Sequence, residues 1–240
     1  NRPVAFRTPC MDGINSASPR LFAEIMMRTT EKGSFLTLSS SIGVLLTPDD
    51  PENPRERVTG ADGKSRFQKY LLPGYVNYIE NYPYPYLIGN MFWETLFPIP
   101  DDYEGSRPNG DASPATVADM KASIDAVVAK KGLWVMTFHP YKWITSTQVV
   151  DLIDHCVSKH GRKVKFLNLR EVQERIDKYL LAENSVRAKN GSENGIRLLD
   201  LNIDGYLDVV IGNDKTKQTR VWDPKTRHWD STDFPSVINK

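Results

Sequence analysis

Short apolar runs alternate with amphipathic stretches over the first three quarters of the chain, and this alternation predicts strands separated by helices. "VAFRT" at 4–8 reads as a short strand. In "SPRLFAEIMMRTT", Ser18 suits an N-cap and Pro19 the first helical position, and Leu21, Phe22, Ile25 and Met26 recur at helical spacing before Gly33 ends the unit. "SFLTLSSSIGVLLT" at 34–47 contains the next strand, and the polar stretch 48–66 reads as an exposed loop. A helix is expected across "FQKYLLPGYVNYIENY", interrupted at Pro73 and Gly74. "YLIGNMFW" at 86–93 predicts one strand, and "PIPDDYEGSRPNGDAS" a long loop. Ser113 and Pro114 open a helix to about Lys131, with Val117, Met120, Ile124, Val127 and Val128 on one face and Gly132 closing it. "LWVMTF" then predicts a buried strand running into His139. Ser146 caps the next helix, with Val149, Ile153, Cys156 and Val157 inward and Gly161 at its end. "KVKFLNL" at 163–169 predicts a strand and "REVQERIDKYLLA" a helix.

Alternation of this kind implies the α/β class, with parallel strands joined by crossover helices. About five βα units precede residue 183, whereas a closed βα barrel needs about seven or eight. The expectation is therefore a partial or distorted βα barrel whose first units lie before residue 1, or else an open sheet. The sequence begins at Asn1 rather than Met and carries no signal peptide, as expected of a mature, trimmed or truncated chain. From about Glu183 the composition turns polar. Residues 1–183 read as the βα domain, 184–194 as a linker, and 195–240 as a short all-β segment holding "IRLLD", "DVVIGN" and "TRVWD".

Composition narrows the partners more than the fold. With a net charge of +1 there is no electrostatic case for nucleic acid or an anionic membrane. No apolar run reaches the ~18 residues that span a bilayer. Two cysteines, Cys10 and Cys156, make neither a disulfide framework nor a zinc motif, so pairing and redox compartment stay open. The oligomeric state leaves no mark in the sequence.

In a parallel βα architecture, reactive groups gather at the carboxyl ends of strands. Arg7, the run Asp101, Asp102, Tyr103 and Glu104, and His139 meet that test. A carboxylate beside a histidine fixes the ring's tautomer, and an arginine orients a second carboxylate. On these residues, "FRTP", "DDY" and "TFHP" in that order, the chain resembles the polysaccharide deacetylase (NodB-homology) family. Arg7 and Pro9 match that family's R-x-P motif, and "TFH" its apolar–His motif, with Thr137 where leucine is usual. Asp102 matches the Asp of an Asp-Trp motif, with Tyr103 in place of tryptophan. The resemblance implies a NodB-like distorted barrel, a secreted or extracytoplasmic setting and metal-dependent removal of acetyl groups from a glycan. It implies that His139 protonates the leaving group, Asp102 holds His139 and Arg7 steadies a base aspartate. It also implies a divalent metal such as Zn²⁺, but the 240 residues contain neither the family's T-F-D-D nor its H-x-x-x-H. Deacetylase activity is accordingly expected to be incomplete or missing in this chain.

A second pattern is "DLNIDGYLD" at 200–208. Asp200, Asn202 and Asp204 offer oxygens at alternate positions, Gly205 permits a sharp turn, the Tyr206 carbonyl follows, and Asp208 completes a Ca²⁺ loop. Ile211 stands where an EF-hand needs glutamate, and the flanks are strand-like. The loop is similar to those of FG-GAP or VCBS repeats, one of which makes at most one propeller blade. Plainer readings stand beside these: a structural His139, a surface or salt-bridge Arg7, solvated Asp101 and Asp102, a metal-free turn at 200–208. Tyr75, Tyr78, Tyr82, Tyr84 and Tyr86 suit packing better than sugar stacking, and His155, His160 and His228 receive no role. The functional alternative to a deacetylase-like hydrolase is a non-catalytic, calcium-stabilised carbohydrate- or protein-binding module. A cytoplasmic βα-barrel enzyme of another class finds no phosphate-binding loop or nucleophile elbow to support it.

Overall fold

The computed structural model describes residues 3–9, 18–71, 73, 77–232 and 234; Cys10, Gly74 and Tyr75 lie outside them. Strand β1 (Ala5–Phe6) pairs in parallel with β2 (Leu38–Ser39). Ser18 caps α1 (Pro19–Leu21) by accepting the Leu21 N–H, and the helix continues as a π-turn over Phe22–Met26. Residues 34–47 hold two strands instead of one, because β3 (Gly43–Leu45) follows β2 in a different sheet. A short helix, α2 (Arg55–Val58), interrupts the loop at 48–66.

Among the described residues of 67–82, the expected helix gives way to a 3₁₀ turn, Gln68–Tyr70, and to strand β4 (Tyr78–Glu80). "YLIGNMFW" is a hairpin: β5 (Tyr86–Ile88) and β6 (Phe92–Glu94) run antiparallel. Gly89 and Asn90 both take positive φ, 57° each, as a tight hairpin turn requires. β6 lies parallel to β2, and β7 (Phe97–Pro98) and β4 flank β3, also in parallel. At the break between β2 and β3 the side chain of Glu94 replaces the ladder, its Oε1 accepting the backbone N–H of Ser41 at 2.6 Å and of Ile42 at 3.0 Å.

The stretch read as a long loop contains α3 (Asp102–Asn109), opened by a capping box between Asp101 and Glu104. α4 (Pro114–Lys130) starts at the Ser113 cap and ends with Lys131, not Gly132, in the left-handed conformation. It lies between two apolar clusters. Val117, Met120 and Ile124 pack with Ile144, Leu152 and Cys156, while Ala122, Ala126 and Val127 pack with Val44, Phe67 and Phe97. α5 (Ser146–His155) is capped by Thr145 rather than Ser146, and continues as a π-helical turn over Cys156–His160. Leu152 and Cys156 face inward, but Ile153 and Val157, expected inward, are exposed.

The two strands expected at 133–138 and 163–169 are not strands of any sheet. Both segments run without ladder partners, and Phe138 and Phe166 are exposed. A strand exists only where a neighbour accepts its hydrogen bonds, and here the two segments line a cleft of about 1240 Å³ with α4 and α5. No closed barrel forms among the described residues.

α6 (Leu169–Arg175) is capped by Asn168. Residues 184–194 are packed, not a free linker: Val186 and Arg187 are buried. Four strands follow, β8 (Ile196–Leu199), β9 (Asp208–Gly212), β10 (Lys217–Asp223) and β11 (His228–Thr232), pairing in sequence as an antiparallel meander. Leu38 and Trp93 share one cluster with Leu181, Val186, Ile196, Val209 and Ile211, so the meander and the βα part bury apolar surface against each other. No helix among the described residues is long and apolar enough to cross a membrane.

Candidate functional site

Asp102 is the first residue of α3 and is wholly buried. Its Oδ2 accepts the backbone N–H of His139 at 2.7 Å, and its Oδ1 lies 2.8 Å from His139 Nδ1. Facing a carboxylate oxygen, Nδ1 carries the ring's proton and donates it, which leaves Nε2 as the outward nitrogen. The imidazole side chain is 41% exposed. Trp143 meets the ring edge-on, with centroids 5.0 Å apart, and in turn packs against Tyr141 and Tyr103.

Arg7 approaches the same region from β1. Its Nε donates to the Ser40 carbonyl at 2.7 Å, Nη2 to Ser40 Oγ at 2.6 Å, and Nη1 to Thr137 Oγ1. Arg7 thus ties the 133–138 segment to the sheet rather than clamping a carboxylate. Burial lowers its pKa from the ordinary value, while Asp101 and Glu94 nearby act to raise it.

Three carboxylates crowd the first turn of α3, where unpaired backbone N–H groups favour negative charge. Burial still dominates. It pushes Asp101 up to about 7, with the Asp102 charge adding to the shift against the Glu104 amide, and it raises Glu104 well above its usual range. Glu94, also buried, is pushed up to about 7. Nothing in the sequence marks Glu94, and Asp101 and Glu104 stand there only as neighbours of Asp102 in a strand-end run. Asp-x-x-Glu before a helix was the available signal for the latter two; burial has no comparable local signature.

A divalent metal of the kind the resemblance implies does not fit around His139. Both oxygens of Asp102 are engaged, the neighbouring cation is Arg7, and no three His, Cys, Asp or Glu ligand atoms converge there among the described residues. No chemical step is therefore derived through such a metal.

The 200–208 loop lies elsewhere, between β8 and β9. Asp200 accepts the N–H of Asp204 at 3.1 Å and of Gly205 at 2.9 Å, and Asp204 accepts that of Tyr206 at 2.9 Å. Gly205 sits at φ 88°, a conformation that a side chain disfavours. Asp208, expected as a ligand, is wholly buried and accepts the N–H of Leu201 at 2.9 Å and of Trp222 at 2.8 Å, fastening the loop to β10. Asp200, Asn202 and Asp204 remain at least partly open to solvent while Asp208 is wholly buried, so the donor set suits Ca²⁺ at the first three better than at Asp208.

Set against known proteins, the chain matches no family model, no curated protein and no solved structure.

Proposed function

We propose that the rim around His139 is the acid half of a polysaccharide-deacetylase-like site acting on an acetylated glycan. The observation that carries this reading is the double grip of Asp102 on His139, 2.7 Å to the backbone N–H and 2.8 Å to Nδ1. It fixes one ring orientation and directs Nε2 outward. Protonated there, Nε2 gives its proton to a departing amine or hydroxyl, while buried Asp102 holds the ring through Nδ1. Tyr141 and Trp143 form an aromatic wall against which a sugar ring can lie. The residues that would activate water are not among these 240, so the reading covers leaving-group protonation and not the whole reaction. The same resemblance favours a secreted or extracytoplasmic protein. The test is acetate release from an acetylated chitooligosaccharide by this chain and by an N-terminally extended one, with added Zn²⁺ or Co²⁺. Release by the extended chain that collapses in H139A supports the reading; no release by either ends it.

A second reading is a non-catalytic carbohydrate- or protein-binding module stabilised by Ca²⁺ at Asp200, Asn202, Asp204, the Tyr206 carbonyl and Asp208. It is favoured by the missing metal donor set beside His139. Glycan binding without turnover, with the N-terminal extension present, selects it.

A further inference from the structure

Away from His139, Asp125 on α4 meets two histidines of α5 and its π-turn. Its Oδ1 lies 2.8 Å from His155 Nε2 and 2.7 Å from His160 Nε2. All three ligand atoms lie within 4.8 Å of one another, and this is the grouping of such atoms found among the described residues. On a regular α-helix, residues five apart point about 140° away from each other. The π-turn Cys156–His160 removes that divergence, because i→i+5 bonding brings residue i+5 back over residue i. The second oxygen of Asp125 is held separately, by Lys159 Nζ at 2.6 Å and Arg57 Nε at 3.2 Å. Oδ2 thus carries the two cations, while Oδ1 is presented with two imidazoles.

We propose that Asp125, His155 and His160 form a binding site for a borderline divalent transition metal such as Zn²⁺, with one Oδ1 and two Nε2 as ligands. Two imidazoles and one carboxylate suit Zn²⁺, Co²⁺ or Ni²⁺ and not the hard cations Ca²⁺ and Mg²⁺. Ligand atoms of a tetrahedral zinc site stand about 3.3 Å apart, so each Oδ1···Nε2 separation needs to lengthen by about half an ångström. Each ring shifts its proton from Nε2 to Nδ1, and the metal replaces two N–H···O bonds. Asp125 and His160 border the large cleft, which admits water to the fourth position. The Lys159 and Arg57 charges oppose a cation, but both side chains are 38% exposed and can turn to solvent.

The site does not depend on the glycan reading, and the experiment separates the two. Metal-depleted protein is titrated with Zn²⁺ by calorimetry near neutral pH, and Co²⁺ absorption reports the ligand geometry. Wild type should take up about one equivalent, and H139A should do the same. H155Q and H160Q should each bind at least ~10-fold more weakly. K159M, which leaves all three ligands and removes a cation, should bind severalfold more tightly even if it is less stable. A simple ion-pair hub has no reason to show that gain, so K159M also serves if a histidine variant fails to fold. No uptake by wild type, unchanged affinity in folded H155Q and H160Q, or loss of uptake in H139A alone would each overturn the assignment.

Discussion

Replacing Glu94 by glutamine tests whether burial governs the sheet junction. Glu94 is fully buried on β6, with Oε1 on the amides of Ser41 and Ile42. Burial raises its pKa from 4.5 to about 7, against the opposing pull of Ser39, the two amides and Arg7. The sign follows from the folded state holding the proton more tightly than the unfolded chain. Stability from this group is complete below pH 4.5 and is lost as pH rises through about 7. A displacement of that size corresponds to about 3 kcal/mol. Glu94→Gln keeps an oxygen for the two amides and does not titrate. The assay is urea unfolding of both proteins at several pH values between about 4.5 and 8. The difference in unfolding free energy, wild type minus variant, should fall by about 3 kcal/mol across that range. Asp101 titrates in the same window but is present in both proteins, so its contribution largely cancels. Parallel stability curves for the two proteins would refute the argument that burial sets this proton.

Asp102→Ala should cost about 2 to 4 kcal/mol in urea unfolding, because it strips the His139 backbone N–H and ring of their acceptor; it should also alter Trp143 fluorescence, and a variant as stable as wild type would contradict the grip described. Arg187→Met should cost about 3 to 5 kcal/mol. The Arg187 guanidinium donates to the carbonyls of Met26, Leu36, Met27, Arg28 and Gly191, and the substitution should expose the 184–194 segment to protease. For the 200–208 loop, Ca²⁺ at about 100 times its dissociation constant should stabilise the protein by about 2.7 kcal/mol. That gain should vanish in Asp204→Ala, and calorimetry without a difference between the two proteins removes the loop from consideration.

Local signals carried much of the fold. The Ser18 and Ser113 caps and the apolar face of α4 were readable because each depends on residues a few positions apart. Two elements were readable but misjudged. Gly89–Asn90 inside an apolar run marks a hairpin, and Asp101-x-x-Glu104 marks a helix start. Others had no local signal. Apolar content at 133–138 and 163–169 suits a strand, but pairing is decided by neighbours far away in sequence. The packing of 184–194 depends on Arg187 reaching carbonyls more than 150 positions upstream, and no composition rule anticipates that. For the candidate site, types and order were legible for Asp102 and His139, while the role of Arg7 was not. His155 and His160 were set aside because five positions on a regular helix diverge, and the π-turn is what brings them together.

The absence of a ladder at 133–138 changes what positions His139. In a sheet, a residue at a strand end inherits its place from several backbone hydrogen bonds. Here the segment is pinned at separate points: Leu133 N–H donates to the Pro83 carbonyl at 2.7 Å, Thr137 Oγ1 receives Arg7, and the His139 backbone and ring are both taken by Asp102. Between the first and second pins, Trp134, Val135 and Met136 are held by side-chain packing against the two clusters beside α4. Arg7 therefore acts on His139 at two removes, through Thr137 and the backbone, and not through a carboxylate. Removing Asp102 takes away both the ring's orientation and the last anchor of the chain that carries it, whereas removing Arg7 loosens the segment and leaves the Asp102–His139 contact in place. Substitutions at the two positions should accordingly differ in kind: Asp102 variants lose the geometry of the pair, and Arg7 variants keep it on a more mobile support.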